Sequence, residues 1–282
     1  MHTLHQADLK NKKVFYRADY NVPFENGEIS DDFRILASKP TLDYMMEQGA
    51  RIIIGTHLGR PDGHRIAQFE LRPVDERLAE LYPKCTVRLA HEVQAPEVDQ
   101  AVAAMRPGDI LLLPNLRFYP EEEGNNEAFS RQLASLADVY VNDAFACDHR
   151  AHASIVGVPS FLPHYAGFLL EAEVKNLTHL MQHPAKPFVV IMGGAKVSDK
   201  IEVIEILAAK ADYLLIGGAM ANTFLLAKGE DISQSKAEKD KVQLAESLLE
   251  KFGEKIVLAS DYVKDSIDDN HFRYLDIGPD AV

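Results

Sequence analysis

The sequence predicts an α/β protein of two parallel-sheet domains joined by a helix, and three observations carry that prediction. Short apolar runs of strand length recur along all 282 residues, separated by stretches long enough for a helix, which is the pattern of repeated strand-helix-strand units. One amphipathic stretch, LLEAEVKNLTHLMQ (169 to 182), lies between two such series and is broken off by HPAKP. The residues that follow the runs also differ between the halves, being arginine, histidine and asparagine in the first and glycine and lysine in the second.

The first series is VFYRADY (14 to 20), ARIIIGTH (50 to 57), TVRLAH (86 to 91), DILLLPN (109 to 115) and VYVNDAF (139 to 145). Between the first two runs, Asp31 and Asp32 are candidate N-caps for a helix that places Arg34 in its first turn. The linking stretch sets Leu170, Val174, Leu177 and Met181 on one helical face. The second series is PFVVIMGG (187 to 194), YLLIGG (213 to 218), KIVLASDYV (255 to 263) and YLDIGP (274 to 279).

Composition narrows the class. With 46% hydrophobic residues the chain can bury two cores of ordinary size. The formal charge of -13 argues against a general nucleic-acid or anionic-membrane surface, so any clustered cations need a local reason. No apolar segment reaches about 18 residues, and MHTLHQADLK lacks the pattern of a secretory signal, so a cytoplasmic protein is expected. Cys85 and Cys147 are too few for a disulfide framework and lack CxxC spacing, which predicts reduced thiols. Asp148 beside His149 and Cys147 lacks a second ligand group at a familiar spacing, so no metal site is expected there.

Open parallel sheets bind ligands beyond the carboxyl ends of their strands. Those positions hold Arg17, Asp19 and Asn21 after the first run, His57 and Arg60 after the second, Arg117 after the fourth, and His149 and Arg150 after the fifth, with Arg34 added from its helix. Any one of these arginines alone reads as a surface residue with an acidic partner. Together they repel, by roughly 2 kcal/mol per pair at about 7 Å and an effective dielectric of about 20. An anionic ligand relieves that repulsion, and arginine favours the forked geometry of phosphate or carboxylate. The set predicts an anion cup.

In the second half, MGGAK (192 to 196), IGGAMAN (216 to 222) and DIGP (276 to 279) end the runs in glycine, which lets a backbone approach phosphates closely. AKVSDKIEVIEILAAKA predicts a helix that opens with Lys196 and Lys200 on one face. Cations in a first turn oppose the helix dipole, so a negative ligand, a nucleotide, is expected there. Neither GxGxxG nor GxxxxGK[ST] occurs, which disfavours a nicotinamide dehydrogenase or a P-loop enzyme.

RADYNVP (17 to 23), THLGRP (56 to 61), LLPNLRF (112 to 118), NDAFACDHRAHAS (142 to 154), GGAKVSDKI (193 to 201) and GGAMANTFL (217 to 225) resemble the phosphoglycerate kinase family in order and spacing, from about residue 4 to the end. The resemblance implies two Rossmann-like domains with a hinge: a 3-phosphoglycerate domain over 1–168, a connecting helix over 169–184, and a partial nucleotide domain over 185–282. It implies glycolytic phosphoryl transfer between 1,3-bisphosphoglycerate and ADP, giving 3-phosphoglycerate and ATP with magnesium, by a monomer that partners neither nucleic acid nor membrane. Substrate contacts would come from Arg17, Asp19, Tyr20, Asn21, Arg34, His57, Leu58, Gly59, Arg60, Arg117 and Arg150. Catalysis would rest on Arg34 and Lys196, and nucleotide binding on Gly193, Gly194, Lys196, Lys200, Gly217 and Gly218. His149 and His152 would support their loop. The family's later GPMGVFE-like and GGGD segments are absent here, and Pro114 and Cys147-Asp148 depart from its usual residues. The resemblance therefore leaves a second expectation open, a non-catalytic fragment that holds 3-phosphoglycerate.

Overall fold

The structure is a computed structural model that describes residues 1–93, 95–232, 234–264 and 273–276. The chain divides into two compact units, Met1–Leu177 and Thr178–Val282. In chain order the first contains β1 (Lys13–Arg17), a short antiparallel hairpin of β2 (Phe24–Glu25) and β3 (Glu28–Ile29), α1 (Phe33–Glu47), β4 (Arg51–Gly55), α2 (Arg72–Leu81), β5 (Val87–Leu89), α3 (Pro96–Ala104) and β6 (Ile110–Leu112). It continues through α4 (Pro120–Glu123), α5 (Glu127–Ser135), β7 (Val139–Asn142) and β8 (His164–Ala166).

Six of these strands form one sheet in the order β5-β6-β4-β1-β7-β8, and every neighbouring pair is parallel. Alternating side chains feed two cores. Val14, Tyr16, Ile52, Ile54, Leu112 and Val141 pack with Ile35 and Leu42 of α1 and Val74 and Leu78 of α2. Phe15, Ile53, Leu111 and Tyr140 point the other way, onto Val98 and Val102 of α3 and Phe129 and Leu133 of α5. A sheet covered on both faces reads as a continuous apolar run, which is why these strands stood out as runs rather than as alternations. β8 was not among the predicted strands, because His164, Tyr165 and Ala166 make neither an apolar run nor a clear alternation.

At the amino end of α1, Asp31 Oδ1 accepts from Phe33 N at 2.8 Å, while the carboxylate of the N-cap residue Asp32 turns to Arg77 Nη2 at 2.8 Å. Arg34 does occupy the first turn. The linking stretch forms α6 (Phe168–Gln182), and the division between the units falls inside it.

The second unit continues with β9 (Val189–Gly193), α7 (Ile201–Lys210), β10 (Tyr213–Gly217), α8 (Gly218–Ala227), α9 (Val242–Phe252), β11 (Ile256–Val257), β12 (Asp261–Lys264) and β13 (Arg273–Asp276). Its parallel sheet has the order β11-β10-β9. The last two predicted runs do not extend this sheet: KIVLASDYV is broken into β11 and β12 by a bend at Ser260, and β12 pairs antiparallel with β13 as a separate ribbon. Val190, Met192, Leu214 and Ile216 face a core with Ile204 and Ala208 of α7, Phe224 of α8 and Leu248 of α9. The opposite face is bare at Val189, Ile191 and Tyr213, which are 43%, 72% and 49% exposed.

The two sheets should therefore answer differently to substitution. Ile53→Ala, in a fully buried site of the first sheet, is expected to cost about 2 to 5 kcal/mol. Ile191→Lys should shift stability by less than about 0.5 kcal/mol and reduce binding of an apolar dye. Urea unfolding with dye fluorescence checks both, and a comparable loss of stability at the two sites would contradict the difference in burial.

Candidate functional site

The carboxyl ends of β1, β4 and β7 are level, with Arg17 paired in register to Gly55 on one side and to Asn142 on the other. Backbone bonds then tie each loop root to a neighbouring strand: Ala18 N donates to Gly55 O at 3.1 Å, Asp143 N to Arg17 O at 2.9 Å, and Leu116 N to Thr56 O at 3.1 Å. The loop after β4 turns through Gly59 at φ +63°, where an added Cβ would lie 2.2 Å from the Phe69 ring, so only glycine fits. Asn115, fully buried, fastens that loop from beneath. Its Nδ2 donates to Leu58 O at 2.7 Å, and its Oδ1 accepts from Leu58 N at 3.2 Å and from Arg117 N at 3.1 Å.

On this frame the predicted rim residues come together. Arg34 Nη1 pairs with Asp19 Oδ2, Asn21 Oδ1 accepts from Gly59 N at 2.9 Å, and Arg117 Nη1 donates to Gly59 O at 2.8 Å. Arg117 Nε lies 3.3 Å from Glu123 Oε1 as an ion pair without hydrogen-bond geometry, which leaves that buried N–H unpaired. Arg150 Nε donates to His149 Nε2 at 3.3 Å. Arg60 is exposed and, among the described residues, has no side-chain partner.

Arg17 is 1% exposed and is engaged by protein on every side: Nε donates to Ser154 Oγ at 2.7 Å, Nη1 to Ala18 O, and Nη2 lies 3.4 Å from His57 Nδ1. Burial, followed by the charges of Arg17, Arg117, His152 and Arg150, lowers His57 to about 2, so its imidazole is neutral at any ordinary pH. Burial also pushes the Cys147 thiol up. Donor atoms of Asp19, His57 and Cys147 lie within 4.8 Å of one another. With a protonated thiol and three arginines bearing on the same groups, the setting suits an anion better than a cation.

Two predicted contact residues turn away from the rim. Tyr20 is fully buried with its hydroxyl 2.8 Å from Ser38 Oγ, and Leu58 packs in the first core, so each offers the rim only its main chain. Sequence reasoning also missed the buried carboxylates beneath the rim, of which Glu122 stands behind Arg17 through Ser154. Glu122 is fully buried and accepts from Ser154 N at 2.9 Å and Ser154 Oγ at 2.6 Å. Asp143, 2% exposed, accepts from Tyr16 Oη at 2.9 Å and from Leu170 N, in the first turn of α6, at 3.0 Å. Burial raises the Asp143 carboxyl against those hydrogen bonds. His152 is nearly buried with Nδ1 3.8 Å from Glu122 Oε1, and burial lowers it despite that carboxylate.

In the second unit the glycine-ended strands are neighbours. Gly193 pairs in register with Gly217, Met220 N donates to Gly194 O at 2.8 Å, and Gly218 turns at φ +67° where a Cβ would lie 3.1 Å from Gly194 O. Lys196 and Lys200 are exposed beside these glycines in sequence. The predicted helix does not open with them. Ser198–Lys200 form a 3₁₀ turn and α7 starts at Ile201, because Ser198 gives its N–H (3.0 Å) and its hydroxyl (2.6 Å) to Glu238 instead of to a helical first turn. Burial would raise the Glu238 carboxyl, but the Ser198 and Val197 donors outweigh it and hold it low. Gly278 and Pro279 of the DIGP run lie outside the described residues.

A family model described as phosphoglycerate kinase matches residues 4–281. The phosphoglycerate kinase of Desulforudis audaxviator is 52% identical over 264 residues, covering 93% of this chain and 67% of that protein. That of Roseiflexus castenholzii is 46% identical over 298 residues, covering 99% and 75%. Among solved structures, phosphoglycerate kinase from Coxiella burnetii matches with a TM-score of 0.82 and 37% identity over 96% of this chain and 69% of that one. The Pyrococcus horikoshii enzyme matches with a TM-score of 0.81 and 31% identity, over 97% and 70%. The chain thus spans about two thirds to three quarters of the length of these relatives.

The buried His57 has a consequence for acid stability. Its folded-state value lies far below the unfolded value near 6.5, so the unfolded chain binds the extra proton. Its stabilising contribution is full above the unfolded value and is lost as pH falls toward about 2. Between pH 7 and 5, wild-type unfolding free energy should fall by about 1 to 2 kcal/mol more than that of His57→Gln. Denaturant titrations at the two pH values test this, and parallel losses in both proteins would mean that His57 titrates in the fold as it does in the unfolded chain.

Proposed function

The chain belongs to the phosphoglycerate kinase family, and from that premise we propose that the rim of the first unit binds 3-phosphoglycerate and the glycine lips of the second bind the phosphates of ADP or ATP. The chain's reaction is then reversible phosphoryl transfer between 1,3-bisphosphoglycerate and ADP. The observation that carries this reading is the gathering of Arg17, Arg117 and Arg150 around a single neutral, buried His57. Such a field favours a ligand with several anionic oxygens.

The roles follow from which donors are still free. Among the described residues Arg60 has no side-chain partner, Arg150 holds only a neighbouring histidine and Arg117 keeps an unpaired Nε–H, so these three are assigned the non-reacting phosphate. Asn21 and Asp19 border the glycerate carbons, and Gly59 and the main chain of Tyr20 and Leu58 shape that border. Arg34, 46% exposed and tethered to Asp19, is free to meet the carboxyl group and the moving phosphoryl. Lys196 is assigned the transferring phosphoryl and Lys200 the nucleotide phosphates, with Gly193, Gly194, Gly217 and Gly218 giving close backbone approach. No covalent enzyme intermediate is required. Catalysis comes from positioning and from neutralising charge on the transferring group.

Magnesium would supply further neutralisation on the nucleotide. The described residues near the lips offer backbone N–H groups and ammonium groups, which fit phosphate oxygens rather than a hard cation. Of the nearby carboxylates, Glu238 is committed to Ser198 and Asp199 is a lone exposed group, so no protein ligand is assigned to the ion. No described helix is long and apolar enough to cross a membrane, and we propose a cytoplasmic monomer acting on small molecules.

At about 100 times its dissociation constant, 3-phosphoglycerate should stabilise the first unit by about 2.7 kcal/mol. Arg60→Ala with Arg150→Ala should remove most of that effect. A ligand-induced thermal shift of zero, or one indifferent to both substitutions, would overturn the assignment of the rim.

For the lips, Lys196→Ala and Lys200→Ala should each weaken ADP binding about tenfold, corresponding to roughly 1.4 kcal/mol, and flatten its salt dependence. Calorimetry measures this, and a coupled ATP-forming assay on the same chain distinguishes turnover from binding alone. Unchanged ADP affinity in both variants would place the nucleotide elsewhere.

A further inference from the structure

A file of polar side chains runs from the buried interior of the first unit to the rim, and its hydrogen bonds have a direction. Glu122 has no exposure, and its Oε1 takes the Ser154 hydroxyl proton at 2.6 Å. The same carboxylate fixes the Ser154 backbone through N to Oε2 at 2.9 Å, and Tyr140 Oη donates to Ser154 O at 2.8 Å, so this serine is pinned on three sides. With its proton committed to Glu122, Ser154 Oγ has a lone pair left for Arg17 Nε at 2.7 Å. Arg17 Nη1 is spent on Ala18 O, and Nη2 faces His57 Nδ1 at 3.4 Å.

A guanidinium can only donate, so His57 Nδ1 has to be the acceptor nitrogen, and a neutral imidazole that accepts at Nδ1 carries its proton on Nε2. The other groups around the ring agree with that order. Cys147 Sγ lies 3.9 Å from Nδ1 and 4.0 Å from Nε2, and burial keeps it a thiol, a weak donor at most. Arg117 and Arg150 add positive potential, which opposes a second proton on the ring.

We infer that Glu122, Ser154 and Arg17 form a relay that fixes His57 as the Nε2–H tautomer, and so present it to the substrate as a neutral hydrogen-bond donor. Arg17 is then a positioning residue and not a phosphate ligand, and Glu122 and Ser154 act only through it. The tautomer stands on the geometry of the first unit alone. Its use as a donor rests on the reading of the rim as the 3-phosphoglycerate site.

The test is long-range proton–nitrogen correlation spectroscopy on the ligand-free 282-residue chain with labelled histidine, with His57→Gln identifying the resonance. In the wild type, His57 should show a protonated Nε2 and an unprotonated Nδ1, without titrating between pH 5 and 8. Ser154→Ala and Glu122→Gln should each give mixed tautomers and weaken 3-phosphoglycerate binding about tenfold, and Ser154→Thr, which keeps the hydroxyl, should restore both. A wild-type His57 that is charged or protonated on Nδ1 overturns the inference without any variant having to fold. Folded Ser154→Ala and Glu122→Gln proteins with the wild-type tautomer overturn the relay. The predicted tautomer in a wild type that fails to bind 3-phosphoglycerate overturns the reading of the rim and with it the donor role, while the relay stands.

Discussion

A guanidinium group with 1% exposure sits at the carboxyl edge of the central strand, and the rest of the first unit is organised around its needs. An ion in such a place costs several kcal/mol unless every donor finds an acceptor and a counter-charge stands near. Arg17 finds acceptors from three separate segments: Ala18 directly after its own strand, Ser154 of the loop beyond β7, and His57 of the loop beyond β4. Glu122, from the turn after β6, stands behind Ser154 as the counter-charge. The loops that make up the rim are thus held together by the satisfaction of one charge, and the remaining arginines are arranged around a centre that is already neutralised.

The same logic appears in smaller form in the second unit. Glu238 takes both the N–H and the hydroxyl of Ser198, as Glu122 does with Ser154. In each case one carboxylate fixes the backbone and the side chain of a single serine, which sets the path of a loop carrying cations. Lys196 and Lys200 are presented in that way from a loop and a tight turn rather than from a helix. Lys200, as the N-cap residue of α7, still meets the positive end of that helix's macrodipole, while Lys196 lies four residues further upstream.

Much of this was legible in the sequence because burial on both faces writes itself as uninterrupted apolar runs, and because the ends of those runs mark where a parallel sheet binds ligands. Four of the five strands of the first series lie within the stretches read for them and β1 begins one residue earlier, at Lys13, and Arg17, His57, Arg117 and Arg150 lie close together beyond their ends. The compensating carboxylates were not legible. Glu122 belongs to the acidic run EEE, which reads as a solvated surface, yet this one member has no exposure. Its partner Ser154 is 32 residues away, and Glu238 is 40 residues from Ser198, separations at which no local periodicity speaks. For the same reason Tyr20 and Leu58 were read with the motifs that carry them, although the pleat of the chain aims their side chains inward.

Asp143 belongs to two structures at once. It opens the loop that carries Arg150, and its carboxylate receives Leu170 N from the first turn of α6. Gly167 lies so close that an added Cβ would come within 2.2 Å of the carboxylate, so there is no slack between loop and helix. Such a junction behaves as a rivet rather than a contact: the loop cannot be drawn inward by an anion without a torque being felt at the root of the helix. The loop that carries Arg150 and the first turn of α6 therefore keep their places together, and a shift of either one strains the other.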